Sequence, residues 1–392
     1  MTPHTIRWGI ISTGGIATTF SKDLLVDPAT RGVTDVRHKI AAVGSRSVPS
    51  AQAFIDKLKA ASGPSSWGAQ NGGLEGTKAY GTYDEVYADP DVDVVYIGTP
   101  HPFHHQNAKA ALLAGKNVLC EKPFVMDVAE LDELIAIAKE NKVFLMEAVW
   151  TRFQPIAYAV QEAIQSGKLG RPRRVTAELS SFAHIDDRAD DDRMIDPQAG
   201  RRSTFGPRTH PQNTDMEPQV LDFSQRIYKR NGVDEMSAFT VKWEGLAEAR
   251  LLNDFTAWTP RDNACVIDCD KAQLIIDRTL PTRQPLTQTP CTVLNASVSC
   301  PTRRPSLAAP SPEAPAVKPD DITEETEHRF SIPAGNGMHY EADHVARCLR
   351  DGKLESDRMP LAESRVVQGW LDTVRKGGNS VLKDWPHIAG NW

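Results

Sequence analysis

The chain has 392 residues, with 45 Lys and Arg against 51 Asp and Glu, and 40% of it is apolar. That length exceeds one ordinary domain and predicts two, each with enough chain to bury a core. A net charge of −6 gives no electrostatic footing for nucleic acid, and no stretch reaches the roughly 18 apolar residues of a membrane span. Six scattered Cys make no disulfide framework, and the N-terminus lacks a signal-peptide layout, so a reducing, cytoplasmic setting is expected. Nine Pro fall between Pro281 and Pro319, which marks the second half as less regular than the first.

The apolar run Ile6 to Ile11 meets Ser12-Thr13-Gly14-Gly15, and a helical stretch follows from Ile16 to Leu25. This is the strand–turn–helix context of a dinucleotide fingerprint, with G-x-G-x-x-G/A falling on Ser12, Gly14 and Ala17. Gly14 lets the backbone approach a pyrophosphate, and Ala17 permits close helix–strand packing. Ser12 replaces the first glycine, and a tight turn that binds nothing would read much the same. The second strand, His38 to Gly44, ends in Ser45-Arg46-Ser47. A site for NAD usually carries a carboxylate there for the ribose hydroxyls. An Arg between hydroxyls suits a 2′-phosphate instead, which favours NADP.

Val92 to Gly98 reads as a strand buried on both faces. It runs into Thr99-Pro100-His101-Pro102-Phe103-His104-His105, at the sheet edge where ligands bind. The three His invite a metal reading, but no Cys or carboxylate stands beside them, so no metal is predicted. A helix from Asn107 leads to the strand Asn117 to Cys120 and then to Glu121-Lys122-Pro123. A Lys at a strand end can act in proton transfer or lower a neighbour's pKa. The helix Val128 to Lys139 and the strand Val143 to Ala148 complete an alternation that predicts a doubly wound parallel sheet.

The Gly-rich turn, Thr99-Pro100-His101, Glu121-Lys122-Pro123 and Met146-Glu147-Ala148-Val149-Trp150-Thr151-Arg152-Phe153 together resemble the glucose–fructose oxidoreductase family. Within it, the chain is most similar to the branch of dimeric dihydrodiol dehydrogenase and fungal NADP-dependent D-xylose 1-dehydrogenase. The resemblance implies an NADP-binding Rossmann domain over residues 1–150. It also implies an α/β substrate and dimerisation domain over residues 151–392, built on an open, mainly antiparallel sheet. Ser12, Gly14, Gly15, Ile16 and Ala17 would hold the pyrophosphate turn, and Ser45 and Arg46 the adenosine phosphate. Thr99, Pro100 and His101 would lie along the ribose and nicotinamide, with Glu121 framing the turn. Lys122 would be the catalytic lysine, while Trp150 and Arg152 would line the cofactor and substrate cleft. The implied reaction removes hydride from a carbon bearing a hydroxyl of a sugar or diol, with a homodimer as the usual assembly. A Tyr of the second domain, its pKa lowered by the Lys, takes the hydroxyl proton in this branch.

That Tyr is expected soon after Arg193-Met194-Ile195-Asp196-Pro197-Gln198-Ala199-Gly200, within Asp-x-Gly-x-Tyr. The chain instead continues Arg201-Arg202-Ser203-Thr204-Phe205-Gly206-Pro207-Arg208-Thr209-His210-Pro211, which has neither a helical nor a strand period. Displacing the reading frame by one base permits Gly-Gly-Ala-Leu-Leu-Leu-Asp-Leu-Gly over the nine residues from Gly200 to Arg208. We therefore read about 30 residues here as out of frame or as crossing a wrong splice junction. Lys122 is left without an assigned partner; His210 is a substitute, since imidazole can do that work. Tyr228 reads as the end of a helix that relatives carry after the missing motif. The acidic run Asp186 to Asp192 reads as a solvated loop.

Residues 201–230 and 279–319 match relatives poorly, and the second of these reads as a disordered or extended loop. Between and after them the chain predicts strands near 238–243, 249–255, 264–269 and 273–276, and helices over 338–351 and 361–376. The leading expectation is an NADP-dependent D-xylose 1-dehydrogenase that forms the lactone. Its rivals are a trans-dihydrodiol dehydrogenase, an NADP-binding protein without turnover, and a metal-dependent hydrolase built on the His cluster.

Overall fold

The computed structural model describes residues 2–61, 72–190, 192, 218–259, 263–276, 294–299, 325–330, 332 and 335–378. His210 lies outside them, as does most of the stretch that breaks the pattern.

The first unit alternates strand and helix. Its elements are β1 (His4–Ile11), α1 (Gly15–Leu24), β2 (Val36–Gly44), α2 (Val48–Ala61), β3 (Lys78–Tyr80), α3 (Tyr83–Ala88), β4 (Val94–Ile97), α4 (His104–Leu113), β5 (Asn117–Glu121), α5 (Val128–Asn141) and β6 (Leu145–Ala148). Its six strands are parallel in the order β3-β2-β1-β4-β5-β6, so the strand order reverses between β1 and β4. All four residues of β4 are buried, which is why it reads as a continuous apolar run rather than an alternation.

The second unit contains α6 (Pro155–Gln165), β7 (Pro172–Glu178), β8 (Gln219–Ile227), β9 (Asp234–Trp243), β10 (Ala247–Asp254), β11 (Cys265–Cys269), β12 (Gln273–Ile276), β13 (Leu294–Ser299) and β14 (Glu325–Phe330). Its sheet runs β14-β13-β12-β11-β7-β10-β9-β8 and is antiparallel except where β7 meets β10. Helices α6 and α8 (Leu361–Gly377) pack into its core through Ile156, Val367, Trp370 and Leu371, with Trp370 edge-on to Trp243 at 5.8 Å. Among the described residues, no helix is long and apolar enough to cross a membrane.

Three features depart from the sequence reading. Strand β13 falls inside 279–319, where a loop was expected. Its Leu-Asn-Ala-Ser-Val-Ser does alternate, and pairing with β12 and β14 satisfies its backbone within the sheet. Strand β8 occupies part of 201–230, so Tyr228 follows a strand rather than a helix; its hydroxyl donates to Asp186 Oδ1 at 3.0 Å. Helix α7 (His339–Arg350), late in the chain, packs into the core of the first sheet: Met338, Ala342, Val345 and Ala346 join Trp8, Phe20 and Val36. A buried charge network fixes it there. Arg31 makes two 2.7 Å hydrogen bonds to Asp343, His38 Nε2 donates to Asp343 at 2.9 Å, and Trp8 Nε1 donates to His38 Nδ1 at 3.2 Å. The indole N–H requires a bare Nδ1, so the imidazole proton sits on Nε2.

Candidate active site

Five strand ends converge on one edge of the parallel sheet and deliver every described residue expected above to serve the cofactor or catalysis: Ser12–Ala17 after β1, Ser45–Arg46 after β2, Thr99–His101 after β4, Glu121–Pro123 after β5 and Trp150–Arg152 after β6. An open parallel sheet binds ligands at this edge, where the strand order reverses.

The turn after β1 has the fingerprint's geometry despite its missing glycine. Ser12 adopts φ +84°, the left-handed region for which glycine is the usual residue, and its Oγ accepts the Gly14 N–H at 3.2 Å. Gly14 caps α1 with extended backbone and, having no side chain, makes no side-chain cap to the first-turn N–H groups of Gly15, Ile16 and Ala17. Those donors, at the positive end of the helix, form an anion cradle. Ala17 works with a partner that sequence reading passed over. A Cβ on Gly98 would lie 3.3 Å from Ala17 Cβ, 3.4 Å from Ile16 Cγ2 and 3.0 Å from Tyr96 Cε1, so α1 reaches β4 only because Gly98 has none.

At the end of β2, Ser45 is buried and Arg46 exposed, with Thr13 Oγ1 3.4 Å from Ser45 Oγ. An exposed guanidinium beside hydroxyls is the donor set for a phosphate on the adenosine ribose. Anion cradle and Arg46 together fit a phosphorylated dinucleotide.

Across the reversal point, Thr99 is buried and its Oγ1 accepts from Asn107 Nδ2 at 3.2 Å, while Pro100 is exposed. The three His have different surroundings. His101 is half-buried, His104 is fully buried, and His105 pairs with Glu133 at 2.7 Å. Among the described residues, no group of three or more His, Cys, Asp or Glu could hold a metal ion.

Glu121, buried at the end of β5, accepts the Tyr96 hydroxyl at 2.7 Å and the Lys122 backbone N–H at 3.3 Å. Burial pushes the Glu121 pKa up, against the pull of the Lys122 charge and the Tyr96 hydrogen bond. Tyr96 is itself held by Phe20, stacked at 3.8 Å with rings parallel to 1°. Lys122 is half-buried, and the Lys122–Pro123 peptide is cis. After β6, Trp150 packs against the first core, and Arg152 pairs with Glu363 of α8 while its carbonyl accepts Arg358 Nε at 2.8 Å. Tyr96, Gly98 and Asn107 lie within ordinary strand and helix patterns, so only their neighbours in space reveal their part.

Residues 6–149 match the model of the oxidoreductase family with an NAD-binding Rossmann fold, named for Gfo, Idh and MocA. D-xylose 1-dehydrogenase (NADP(+)) of Hypocrea jecorina is 36% identical, over 96% of this chain and 93% of its own. Trans-1,2-dihydrobenzene-1,2-diol dehydrogenase of Bos taurus is 30% identical, over 95% and 96%. The chain belongs to this oxidoreductase family. Solved structures share the fold over nearly the whole chain. Levoglucosan dehydrogenase, solved with NADH and levoglucosan, superposes with a TM-score of 0.71 at 14% identity, covering 95% of this chain and 96% of its own. A 3-ketoreductase from Actinomadura kijaniata, solved with NADP, gives 0.68 at 18%, covering 96% and 98%. At those identities the likeness establishes the fold alone.

Proposed function

We propose that this family member is an NADP-dependent dehydrogenase that oxidises a sugar hydroxyl, with D-xylose converted at C1 to the lactone. One observation carries the cofactor half: the first-turn N–H groups of α1, which Gly14 leaves without a side-chain cap, stand on the same sheet edge as Arg46, at the position where a site for NAD usually carries a carboxylate. The substrate half draws on similarity to the Hypocrea jecorina enzyme over nearly the whole chain. Ser12, Gly14, Gly15, Ile16 and Ala17 would hold the pyrophosphate, Ser45 and Arg46 the 2′-phosphate, and Thr99, Pro100 and His101 the ribose and nicotinamide. Bound NADP+ supplies the hydride acceptor.

The chain's own work is positioning and proton transfer. Oxidising CH–OH to C=O sends hydride to the nicotinamide and releases the hydroxyl proton, so a base and a positive charge near the oxygen both help. Lys122 is the residue assigned that charge, with Glu121 and Tyr96 holding its turn. Trp150 and Arg152 would border the substrate side, with Arg152 braced by Glu363. The protein would assemble as a homodimer through its second sheet.

NADPH formation tests the reading. D-xylose should support turnover and the trans-diol should not, and Lys122→Met should abolish turnover while leaving NADPH binding in place. Turnover with the diol alone assigns the other activity. NADPH binding without oxidation of either substrate makes the protein a binding member of the family. The missing Asp-x-Gly-x-Tyr favours binding without oxidation for the sequence as written.

A further inference from the structure

Asp23 stands in the last turn of α1 and is completely buried. Its partners come from the far end of the chain. Asp23 Oδ2 accepts the Asn336 N–H at 2.8 Å and the Met338 N–H at 2.9 Å, and Oδ1 accepts the Asn336 N–H at 3.0 Å and Asn336 Nδ2 at 3.4 Å. We propose that Asp23 is a positioning residue: its carboxylate, seated in the turn 335–338, joins the cofactor helix α1 to the segment 150–154 and so holds the cofactor and substrate sides in one frame.

The turn is shaped around that carboxylate. Gly335 has φ +71° and Gly337 φ +92°, and a Cβ on Gly335 would lie 2.4 Å from Asp23 Oδ1. The two glycines flanking Asn336 therefore let backbone N–H groups close on one anion, as in a nest. Met338 is the N-cap of α7 and makes no side-chain cap, so the carboxylate that takes its N–H stands at the positive end of that helix. Burial pushes the Asp23 pKa up to about 6, against the pull of the Met338, Asn336 and Gly337 N–H groups, which leaves an anion at about pH 8. The other side of the same turn meets the substrate side. Gln154 Nε2 donates to the Asn336 carbonyl at 3.5 Å, and a Cβ on Gly337 would lie 3.2 Å from that nitrogen. Gln154 is buried and directly follows Trp150–Phe153, and the Phe153 ring lies 4.9 Å from His344 of α7. One turn thus touches the helix that carries the anion cradle and the segment that carries Trp150 and Arg152. Removing the carboxylate takes the acceptor from the Asn336 and Met338 N–H groups and loosens the turn toward both neighbours. The effect on cofactor and sugar rests on the reading that these two segments bind them; the joint itself does not.

Amide hydrogen exchange, NADPH titration and kinetics of the full chain test it. Asp23→Ala removes both acceptor oxygens, whereas Asp23→Asn keeps one that can take the Asn336 and Met338 N–H groups. In Asp23→Ala, exchange should quicken at 336–340 and also at 18–22 and 152–157. NADPH affinity per folded site should fall about tenfold, and the KM for sugar should rise with it. Asp23→Asn should recover most of each loss. Quickening confined to 336–340 overturns the proposal, and so does wild-type NADPH affinity in folded Asp23→Ala. A merely structural contact would lower Tm and leave the affinity of the folded fraction intact. If Asp23→Ala does not fold, Gln154→Ala cuts the joint from its other side and should quicken exchange at 336–340; wild-type exchange there overturns the proposal. A wild-type chain that oxidises no sugar or binds no NADPH would sink the proposed activity, and exchange at 18–22 and 152–157 would still decide the joint.

Discussion

Substituting Gly98 by Ala probes the closest approach in the cofactor edge. The added methyl would sit 3.0 Å from Tyr96 Cε1, 3.3 Å from Ala17 Cβ and 3.4 Å from Ile16 Cγ2, where carbon pairs prefer about 3.5–4.0 Å. Tyr96 has little room to yield, because its ring is stacked on Phe20 at 3.8 Å and its hydroxyl is bound to Glu121 at 2.7 Å. Phe20 is in turn backed by Trp8 at 5.3 Å. The first turn of α1 must therefore move outward by a few tenths of an ångström, carrying the Gly15 to Ala17 donors with it. Overpacking of this kind costs about 1–3 kcal/mol. At roughly 2–4 °C per kcal/mol for a unit of this size, Tm should fall by about 2–12 °C. NADPH affinity should fall by about tenfold if 1.4 kcal/mol of the disturbance reaches the pyrophosphate contacts. Thermal unfolding with and without NADPH, together with fluorescence titration, measures both. A variant with wild-type Tm and wild-type NADPH affinity would refute the claim that Gly98 sets the distance between α1 and β4.

The other expectations concern strain, charge and the reading frame. Ser12→Gly relieves a left-handed non-glycine conformation and should leave stability unchanged or raise it by up to about 1 kcal/mol, whereas Ser12→Val should lower it by about 1–3 kcal/mol; denaturant unfolding that ranks them the other way contradicts the assigned φ of +84°. Asp343→Ala leaves Arg31 buried without its partner and should cost about 3–5 kcal/mol, with α7 the first helix to lose amide-exchange protection. Burial works to raise the Asp343 pKa, but hydrogen bonds from Arg31 and His38 overcome it and hold it at about 2, below its usual 3.8. Because the folded value is depressed, the stabilisation of about 2 kcal/mol is complete above the unfolded value and disappears as pH falls through the folded one. Acid unfolding of Asp343→Asn should therefore lack that component, and an unaltered acid profile would contradict it. Transcript sequencing from Pro197 to Gly232 should show a displaced frame; a transcript that encodes Arg201-Arg202-Ser203 as written and yields an active enzyme would overturn that reading.

Much of the first unit was legible in the chain order. Parallel strands buried on both faces give unbroken apolar runs, and Gly, Pro and charged residues punctuate their ends, so β1, β2, β4, β5 and β6 and the turns after them could be placed without a structure. Strand β13 was hidden because its short alternation lies among Pro and Thr residues whose composition points to a loop. Strand β8 was hidden because its sequence follows the break in the pattern, and pairing with β9 rather than local propensity defines it.

By itself the sequence determined the kind of edge this protein presents: Ser12 to Ala17, Arg46, Thr99 and Lys122 each stand at the end of an apolar run, and the alternation of those runs with helices predicts a parallel sheet. Tertiary structure decided how the edge is held. Helix α7 reaches the first core from more than 300 residues away in the chain, joined by Arg31, His38 and Asp343; the Arg31 and Asp343 charges are stable in the interior only because they meet there. Gly98 matters because Tyr96 and Ala17 occupy its side-chain space, and Asp23 matters because backbone N–H groups from the far end of the chain close on its carboxylate. Local pattern records which face an element buries. Hydrogen-bond partners and excluded volume exist only between elements, and they become readable once the chain has folded.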